Sequence, residues 1–570
     1  MGTLVEAFRV PAGPIPRGYP SHLAGIEPER TTYRRATALL AGLVLLCLVL
    51  RGWMASRIPG VSPDSVLYIQ LAKSLEARDL RGASAAMSIN TLPLILMVLH
   101  RAGLDWELAG MLWGIAISSL VVLPLFGWAR RQFDDRVAAV ACLLYAVHPK
   151  IIAWSPEIMR DPTFWFFFML SLYLLWRAIA EVRVGLFVAA GLSVALACLT
   201  RFEGLFLFLP LGFWAFWRGR ALAAHRKKLV LGVAACTAVL PLVVLAANLV
   251  WRCSSGDWVL PRLAPLARVQ TWLASLWGTQ LEQTAPAAAA LAPSTVPPAS
   301  APPSFGQMLW VFFPTMTRGL SPAFALLMLG GLWGWRRTWA RRDHQALFCV
   351  ALLVMAGIWV QYWYDRLICP RYALPIVLMA SPFAALGLLG LTAWLRRLSE
   401  RLRFGVRLRV AVAAAPLTAV CLLGVGGAMT CNRSYFTLRR QAVLVGHWLQ
   451  ERTAQPPTLV GPAGITQVVG YYAHGGDCRT FRLDNEDLSL VVEMVSHFRP
   501  DVLLLHPTRG MRNSGCESLV ARMRPLGLEP ADLAHVSEGP EPLYVLLRRS
   551  LSLACRGSGN GLPSAGDACR

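Results

Sequence analysis

The chain has 570 residues, of which 55% are hydrophobic and 15% are charged, with a mean hydropathy of +0.49. Soluble domains carry about 25% charged residues, so this composition indicates a polytopic membrane protein with room for one further domain. The formal net charge of +23 falls mainly in short loops between apolar runs, so it does not indicate nucleic-acid binding. The first apolar run, from Ala36, follows a long polar leader, and we expect an anchored span rather than a cleavable signal peptide.

Apolar runs along the chain predict about eleven α-helical transmembrane spans. A bilayer core of about 30 Å requires roughly 20 apolar residues per helix. Runs of that kind begin near residues 36, 107, 136, 163, 184, 205, 229, 319, 346, 373 and 410.

Lysine and arginine concentrate in every second loop, as in the clusters at residues 130–136, 218–228, 336–342 and 396–409. Short loops of this kind stay in the cytoplasm. The N-terminus is therefore predicted to be cytoplasmic, in a bacterial inner membrane. The C-terminal part follows an odd number of predicted spans and is expected to lie outside the cytoplasm.

Composition and patterning predict the boundaries of the regions. These are a cytoplasmic leader at 1–35, a transmembrane domain at 36–428 with outer loops at 55–106 and 251–306, a small extracytoplasmic α/β domain at 429–549, and a disordered tail at 550–570. The uncharged segment APAAAALAPSTVPPASAPPS in the second outer loop predicts a flexible linker.

The C-terminal domain alternates apolar strands with helical patterns. Strands are predicted at Thr458–Val460, Val502–Leu505 and Leu543–Leu547, and helices near 486–498 and 517–526. This alternation is typical of a small α/β layer structure.

The first outer loop contains SPDSVLYIQLAKSLEARD, which predicts an amphipathic helix on the membrane surface. Ser62 is expected to cap this helix, Pro63 suits its first position, and Asp64 is favourable at its positive end. The apolar stretch Thr91–His100 is too short to cross the membrane and predicts a second interfacial helix.

Ionisable residues lie at the predicted outer ends of several spans, all on one side of the membrane. Such groups are costly near the membrane and are usually functional. Together they predict one polar cavity that holds an anionic headgroup and a proton acceptor. The residues are Asp64, His148, Lys150, Glu157, Arg160, Asp161, Arg201, Glu203, Asp365, Arg366 and Arg371.

The acidic residues each have two interpretations. Asp64 is either a general base that takes a proton from an acceptor hydroxyl or an acid that stabilises the start of its helix. Glu157 and Asp161, four residues apart, would share one helical face, where like charges repel unless a cation or ligand lies between them. Alternatively, Asp161 and Pro162 form an ordinary helix cap.

The basic residues leave alternatives open as well. Arg201, in a short outer turn, either grips a phosphate or extends towards the membrane interface. Arg366 and Arg371 are flanked by aromatic residues that include Tyr372, an arrangement that also occurs in aromatic belts. His148 is interpreted as structural because no second histidine lies nearby.

Five segments occur in the order found in a known family. They are SPDSVLYIQLAKSL, INTLPLILMVLHRAGLDWELAGMLWGIAISSL, SPEIMRDPTFWFFFMLSLYLLWRA, LACLTRFEGLFLFLPL and CPRYALPIVLMASPFAALGL. Over roughly residues 36–395 the chain resembles the GT-C superfamily of membrane glycosyltransferases. Within it, the chain is similar to the bacterial branch related to protein mannosyltransferases and the aminoarabinose transferase of lipid A.

The resemblance implies a role for each matching residue. Asp64 matches the catalytic acidic position of the first outer loop, Asp161 the second acidic position, Arg201 the basic turn residue, and Arg371 with Tyr372 the basic pair near the lipid phosphate.

Four neighbouring residues complete the predicted substrate site: Glu157, Arg160, Glu203 and Arg366. The chain departs from the family pattern at two positions. Ser65 stands where a second acid is often found, and Phe202 where proline or glycine is common.

The resemblance also implies a reaction. A sugar on a polyprenyl phosphate would be the donor, its tail in the membrane lipid, and an envelope glycan, lipid or protein the acceptor. Arg201 and Arg371 would hold the phosphate, and Asp64 would deprotonate the acceptor in an inverting displacement.

No cofactor or metal ligand set is predicted, although a divalent metal ion is left open. The alternatives are a transporter or flippase, for which two related halves would be expected, and a non-catalytic envelope-assembly scaffold.

Overall fold

The computed structural model describes residues 30–79, 90–221, 225–255, 305–334, 342–365, 368–431, 433–483, 488–506, 521–531, 543–549 and 551. The predicted linker, most of the leader and nearly all of the tail lie outside these residues. The boundaries predicted for the domains stay predictions.

Helices dominate the described chain up to residue 450. They are α1 (Arg30–Ala55), α2 (Pro63–Glu76), α3 (Thr91–Arg101), α4 (Trp106–Leu120), α5 (Val122–Gln132), α6 (Asp135–Ala146), α7 (Pro149–Trp154), α8 (Asp161–Glu181), α9 (Val184–Thr200), α10 (Phe208–Ala221), α11 (Arg226–Ser255), α12 (Phe305–Leu320), α13 (Pro322–Gly334), α14 (Arg342–Asp365), α15 (Leu374–Arg401), α16 (Val406–Thr430) and α17 (Arg433–Gln450).

Within the described residues, seven helical stretches are long and apolar enough to cross a membrane. They are Ala36–Ala55, Trp106–Gln132, Asp161–Glu181, Arg226–Val250, His344–Trp363, Pro370–Arg401 and Val406–Gln450. Helices begin within a few residues of every predicted start, but several, such as α9 and α13, are shorter than a full span. The prediction of a polytopic helical protein agrees with this arrangement, whereas the number of eleven spans stays a prediction.

The helices α5, α6, α8, α9 and α15 enclose the main apolar core. Large aromatic side chains fill it, and Trp128, Trp165 and Phe168 are completely buried. Many leucine side chains on the outer helix faces, such as Leu45 and Leu231, are exposed, as expected of surfaces that face lipid.

Helices α13 and α15 cross at a close approach of their backbones. A Cβ atom at Gly331 would lie against the carbonyl oxygen of Phe383 and 2.9 Å from the backbone nitrogen of Gly387. A Cβ atom at Gly387 would in turn lie 2.8 Å from the carbonyl carbon of Leu327. Small residues at such crossings allow membrane helices to pack by direct backbone contact.

The two helices predicted in the first outer loop are present. Ser62 caps α2, its Oγ accepting a hydrogen bond from the backbone N–H of Ser65 at 3.2 Å, and Pro63 opens the helix. Helix α3 packs against α2 through the buried side chains of Leu92 and Leu96. Asp64 is thereby fixed in the first turn of a well-anchored helix.

The part of the chain after residue 450 contains a five-stranded sheet. Its elements are β1 (Leu459–Gly461), α18 (Ala463–His474), β2 (Thr480–Arg482), α19 (Leu488–Phe498), β3 (Val502–Leu505), β4 (Leu528–Pro530) and β5 (Tyr544–Arg548). The strand order is β2-β1-β3-β5-β4, with β1 parallel to β2 and β3, and β5 antiparallel to β3 and β4.

Successive residues of the central strands face opposite sides of the sheet, which is therefore covered on both faces. Leu459 packs in one apolar cluster with residues of α17 and α18, whereas Val460 packs in another with residues of α19. The three strands predicted from the sequence coincide with β1, β3 and β5, and the predicted first helix coincides with α19.

The crossing of α13 and α15 yields a prediction about stability. Gly331→Ala should destabilise the fold by about 1–3 kcal/mol because the added methyl group meets backbone that cannot yield. Gly330→Ala is the matched control, since a Cβ atom there has nothing within 4 Å. Thermal unfolding in detergent should show a lower midpoint for the first variant only. Equal midpoints would contradict the close packing.

Candidate active site

Four helix ends converge to form one polar site. The start of α2 brings Asp64, the start of α8 brings Asp161, and the end of α9 brings Arg201. A short 3-10 turn before α15, Pro370–Ala373, brings Arg371. The convergence of these residues, predicted from the sequence, is therefore present in the structure.

Asp64 and Arg371 form the accessible part of the site. The Nη2 of Arg371 donates to Oδ2 of Asp64 at 2.7 Å. The Asp64 side chain is 45% exposed and that of Arg371 only 16%. The guanidinium also lies over the rings of Trp154 and Tyr372, at 5.6 Å from each centroid, and donates to Sδ of Met159. Arg371 is thus fixed by its surroundings, whereas one side of Asp64 faces solvent.

Arg201 forms a buried ion triad with two carboxylates. Its Nη1 donates to Oδ1 of Asp161 at 2.7 Å, and its Nε and Nη2 both donate to Oε1 of Glu203. All three side chains are nearly inaccessible. Burial alone would lower the pKa of Arg201, but Glu203 and Asp161 raise it, so the guanidinium stays charged.

Glu157 pairs with Arg439, a residue of α17. The Nη1 of Arg439 donates to Oε1 of Glu157 at 2.7 Å. The Arg439 side chain is 3% exposed and that of Glu157 is fully buried. Sequence reasoning missed Arg439, which belongs to no family segment and lies 282 residues from its partner. The signal in the sequence was the position of Arg439 on the apolar side of an amphipathic helix, which indicates a buried arginine that needs an acidic partner.

Arg160 and Tyr68 complete the site. Arg160 has no hydrogen bond to another described residue, although its charge acts on Asp161. Tyr68, one turn after Asp64 in α2, is buried, and this burial raises the pKa of its hydroxyl to about 12, while the charges of Arg160 and Asp161 act on it in opposite directions. Tyr68 is therefore a neutral hydrogen-bonding group over the physiological range.

Three interpretations from the sequence are wrong in this structure. Glu157 and Asp161 do not share a helical face, because α8 begins only at Asp161 and each acid pairs with a different arginine. Arg160, and not Asp161, occupies the cap position of α8. Arg201 does not extend to the membrane interface, since it is buried in its ion triad.

The remaining predicted residues lie away from this site or outside the described part of the chain. His148 is buried, its Nε2 lies 3.1 Å from the carbonyl oxygen of Leu320, and burial lowers the pKa of the imidazole to about 4, in agreement with a structural role. Arg366 and the side chain of Asp365 lie outside the described part of the chain, as does the acidic segment 484–487.

The described side chains of the site do not form a ligand set for a divalent metal ion. Among the described residues there is no group of three His, Cys, Asp or Glu side chains that fits one. Asp64, Glu157 and Asp161 are each bound to a separate guanidinium, so the carboxylates do not share a cation site. Ser65 stands beside Asp64 and donates to, or accepts from, the Ser62 hydroxyl at 2.7 Å. These residues do not fit the metal site that was left open.

Comparison with known proteins supports the resemblance. Residues 85–251 match the family model described as dolichyl-phosphate-mannose-protein mannosyltransferase. This stretch includes Glu157, Asp161 and Arg201. A comparison with curated proteins found no match.

Solved structures with a similar fold include an oligosaccharyltransferase from Archaeoglobus fulgidus, determined with Zn and sulfate. It is 14% identical, with 82% of this chain and 68% of that chain covered and a TM-score of 0.52. The same organism's AglB, in complex with an inhibitory peptide and a dolichol-phosphate, is 13% identical, with 84% and 70% covered and a TM-score of 0.53.

ArnT from Cupriavidus metallidurans, in the apo state, is 15% identical and has a TM-score of 0.50. The match covers 91% of this chain and 99% of ArnT, so the two chains correspond along almost their whole length. At such low identity the structural likeness shows the fold alone. With the family-model match, these comparisons confirm that the chain resembles the GT-C superfamily of membrane glycosyltransferases.

Proposed function

We propose that the chain is a glycosyltransferase that moves a sugar from a polyprenyl-phosphate donor to an envelope acceptor at the extracytoplasmic face of the inner membrane. The observation that carries this proposal is the pair of Asp64 and Arg371. A half-exposed carboxylate and a guanidinium fixed by buried surroundings lie 2.7 Å apart at the ends of two helices. This contact supports a role for Asp64 as the proton acceptor, directly beside Arg371 as a phosphate-binding group.

Arg371 and Arg160 are the phosphate ligands that the geometry favours. In the described structure Arg371 has one carboxylate partner, and its Nε has no hydrogen-bond partner. Arg160 has no hydrogen bond to a described residue. By contrast, every guanidinium nitrogen of Arg201 already donates to Asp161 or Glu203. We therefore assign Arg201 a supporting role, in place of the direct phosphate contact implied by the resemblance.

Donor binding on this account exchanges one anion for another. A phosphate oxygen takes the place of Oδ2 of Asp64 on the guanidinium of Arg371, because arginine binds both groups with the same planar geometry. The Asp64 side chain, 45% exposed, is then free to accept a proton. Phosphate binding thus releases the Asp64 carboxylate from Arg371. Asp64 can then act as the base without any movement of helix α2.

The proposed reaction is a single displacement. The acceptor oxygen attacks the anomeric carbon while Asp64 takes its proton, and the bond from that carbon to the phosphate oxygen breaks. The polyprenyl phosphate leaves with the electron pair, and Arg371 stabilises the charge that develops on it. The configuration at the sugar carbon is inverted. AglB has been solved with a dolichol-phosphate, which supports a lipid-phosphate donor for proteins of this fold.

The proposal predicts the effect of removing the base. Asp64→Asn should reduce the turnover of purified protein, given labelled polyprenyl-phosphate sugars and envelope extract, by about 10²–10⁴-fold. The matched control is Asp135→Asn, which removes a carboxylate that is 48% exposed and paired with Arg130 at the other end of the bundle. Full activity in a folded Asp64→Asn variant would contradict the assignment of Asp64 as the general base.

A second prediction concerns the donor phosphate. Arg371→Gln should weaken binding of a polyprenyl phosphate, measured by titration in detergent, by about 10–100-fold, the equivalent of losing one charge-assisted hydrogen bond. Arg101→Gln is the control, because Arg101 is 55% exposed, pairs with Glu76, and belongs to the same outer loop. Equal affinity in the two variants would contradict a phosphate site at Arg371.

A third prediction follows from the supporting role of Arg201. Arg201→Met leaves two buried carboxylates unpaired and should lower stability by about 3–5 kcal/mol. The triple variant with Asp161→Asn and Glu203→Gln should regain much of that loss. Arg396→Met, in an exposed pair with Glu400, should change stability by less than about 1 kcal/mol. A thermal midpoint for Arg201→Met as high as that of Arg396→Met would contradict the role.

A further inference from the structure

The segment that precedes α2 is held by side chains from the C-terminal part of the chain. The Nη2 of Arg439, in α17, donates to the carbonyl oxygen of Gly60. At the next residue, the backbone N–H of Val61 donates to the hydroxyl oxygen of Tyr472, in α18, at 2.9 Å. Two consecutive backbone groups, three and four residues before Asp64, therefore depend on partners about four hundred positions away in sequence.

The same contact continues along α2. The Nε2 of Gln70 donates to the carbonyl oxygen of Gly476 at 3.1 Å, and the Nζ of Lys73 donates to that of Gly475 at 3.3 Å. The ammonium group of Lys73 also lies over the ring of Tyr471. Because successive turns of the helix are bound, its direction as well as its starting point is determined by the C-terminal part.

Gly60 shows how closely the two parts approach. Its φ of +64° lies in the left-handed region, which favours glycine. A Cβ atom there would overlap the hydroxyl group of Tyr472 and lie 2.9 Å from Cγ2 of Val443. The backbone before Asp64 thus fits directly against α17 and α18, with no space for a side chain.

Two further contacts tie these helices to the membrane bundle. Arg439 forms its buried ion pair with Glu157, just before α8, and Tyr472 donates its hydroxyl hydrogen to Oε2 of Glu107 at 3.1 Å. Each side chain therefore joins the segment before α2 to a helix end in the bundle. An isolated buried charge is costly, so the ion pair in particular resists separation.

We propose that α17 and α18 form a positioning element that sets Asp64 against Arg371, with Arg439 and Tyr472 as its positioning residues. The part played by Asp64 rests on the function proposed above. Arg371 is fixed by its own bundle helices, but Asp64 stands on a separate outer helix. A proton acceptor must be held within about 0.5 Å of its productive place, and the contacts from the C-terminal part supply that constraint.

The test removes these contacts while leaving no buried charge unpaired. Tyr472→Phe deletes the hydroxyl that binds Val61, and the pair Arg439→Gln with Glu157→Gln deletes the bond to Gly60 together with the ion pair. Arg440→Gln, at the exposed neighbouring position, and Tyr544→Phe, in β5, serve as controls. Hydrogen exchange of the full chain in detergent reports on residues 60–76, and transfer kinetics report on the reaction.

We expect faster exchange at residues 60–76 in the Tyr472 and Arg439 variants, unchanged exchange in α8, and no change in the controls. We expect turnover to fall by up to about 10²-fold, with an unchanged KM for the donor. In an Asp64→Asn background, Tyr472→Phe should cause no further loss, because it acts through Asp64.

Unchanged exchange at residues 60–76 would overturn the proposal, and so would faster exchange with full turnover. An equal further loss in the Asp64→Asn background would also overturn it, since Tyr472 would then act independently of Asp64. If the parent protein transfers no sugar, the proposed function fails, but the exchange result still decides whether α17 and α18 position α2.

Discussion

A charged group at the edge of a membrane bundle must find a partner, because an unpaired buried charge costs several kcal/mol. The site satisfies this requirement with arginine–carboxylate pairs, three of which join elements distant in sequence. Asp64 with Arg371 joins helix α2 to the start of α15. Glu157 with Arg439 joins the bundle to the C-terminal part. The relative positions of the site residues depend on these ion pairs, which hold the elements of the site together.

The pairs differ in exposure, and this difference separates their roles. Glu157 is inaccessible, and its partner is fixed, so this pair acts as a structural link. Arg201 is similarly enclosed between its carboxylates. Asp64 alone among these acids is about half exposed. In the proposed mechanism, an entering phosphate would compete for Arg371 at modest cost, whereas disrupting either buried pair would cost stability as well as affinity.

Local signals in the sequence predicted much of this fold. Ser62 and Pro63 predicted the start of α2, and apolar runs predicted the buried strands β1, β3 and β5. The edge strand β2 was missed because it is largely exposed and lacks an apolar pattern. β4, at the other edge, is three residues long and ends in a proline. Short, exposed strands form because a neighbour pairs with them, and no local pattern records that neighbour.

The candidate site was likewise predictable only in part. The convergence of Asp64, Asp161, Arg201 and Arg371 could be predicted from topology and resemblance, because helix ends on one side of a bundle meet. Which acid pairs with which arginine could not be predicted, since this depends on the distances between side chains of different elements. The pairing of Arg439 was beyond prediction because Glu157 is 282 residues away and Arg439 itself lies in a part of the chain without a family motif.

The most direct test of this account is a structure of the full protein with a bound polyprenyl-phosphate sugar analogue. The account predicts the phosphate within hydrogen-bond distance of Arg371, with Asp64 released from that guanidinium and facing the anomeric carbon. The buried pair of Glu157 and Arg439 should remain unchanged. A phosphate bound elsewhere, with Asp64 and Arg371 still paired, would contradict the central claim.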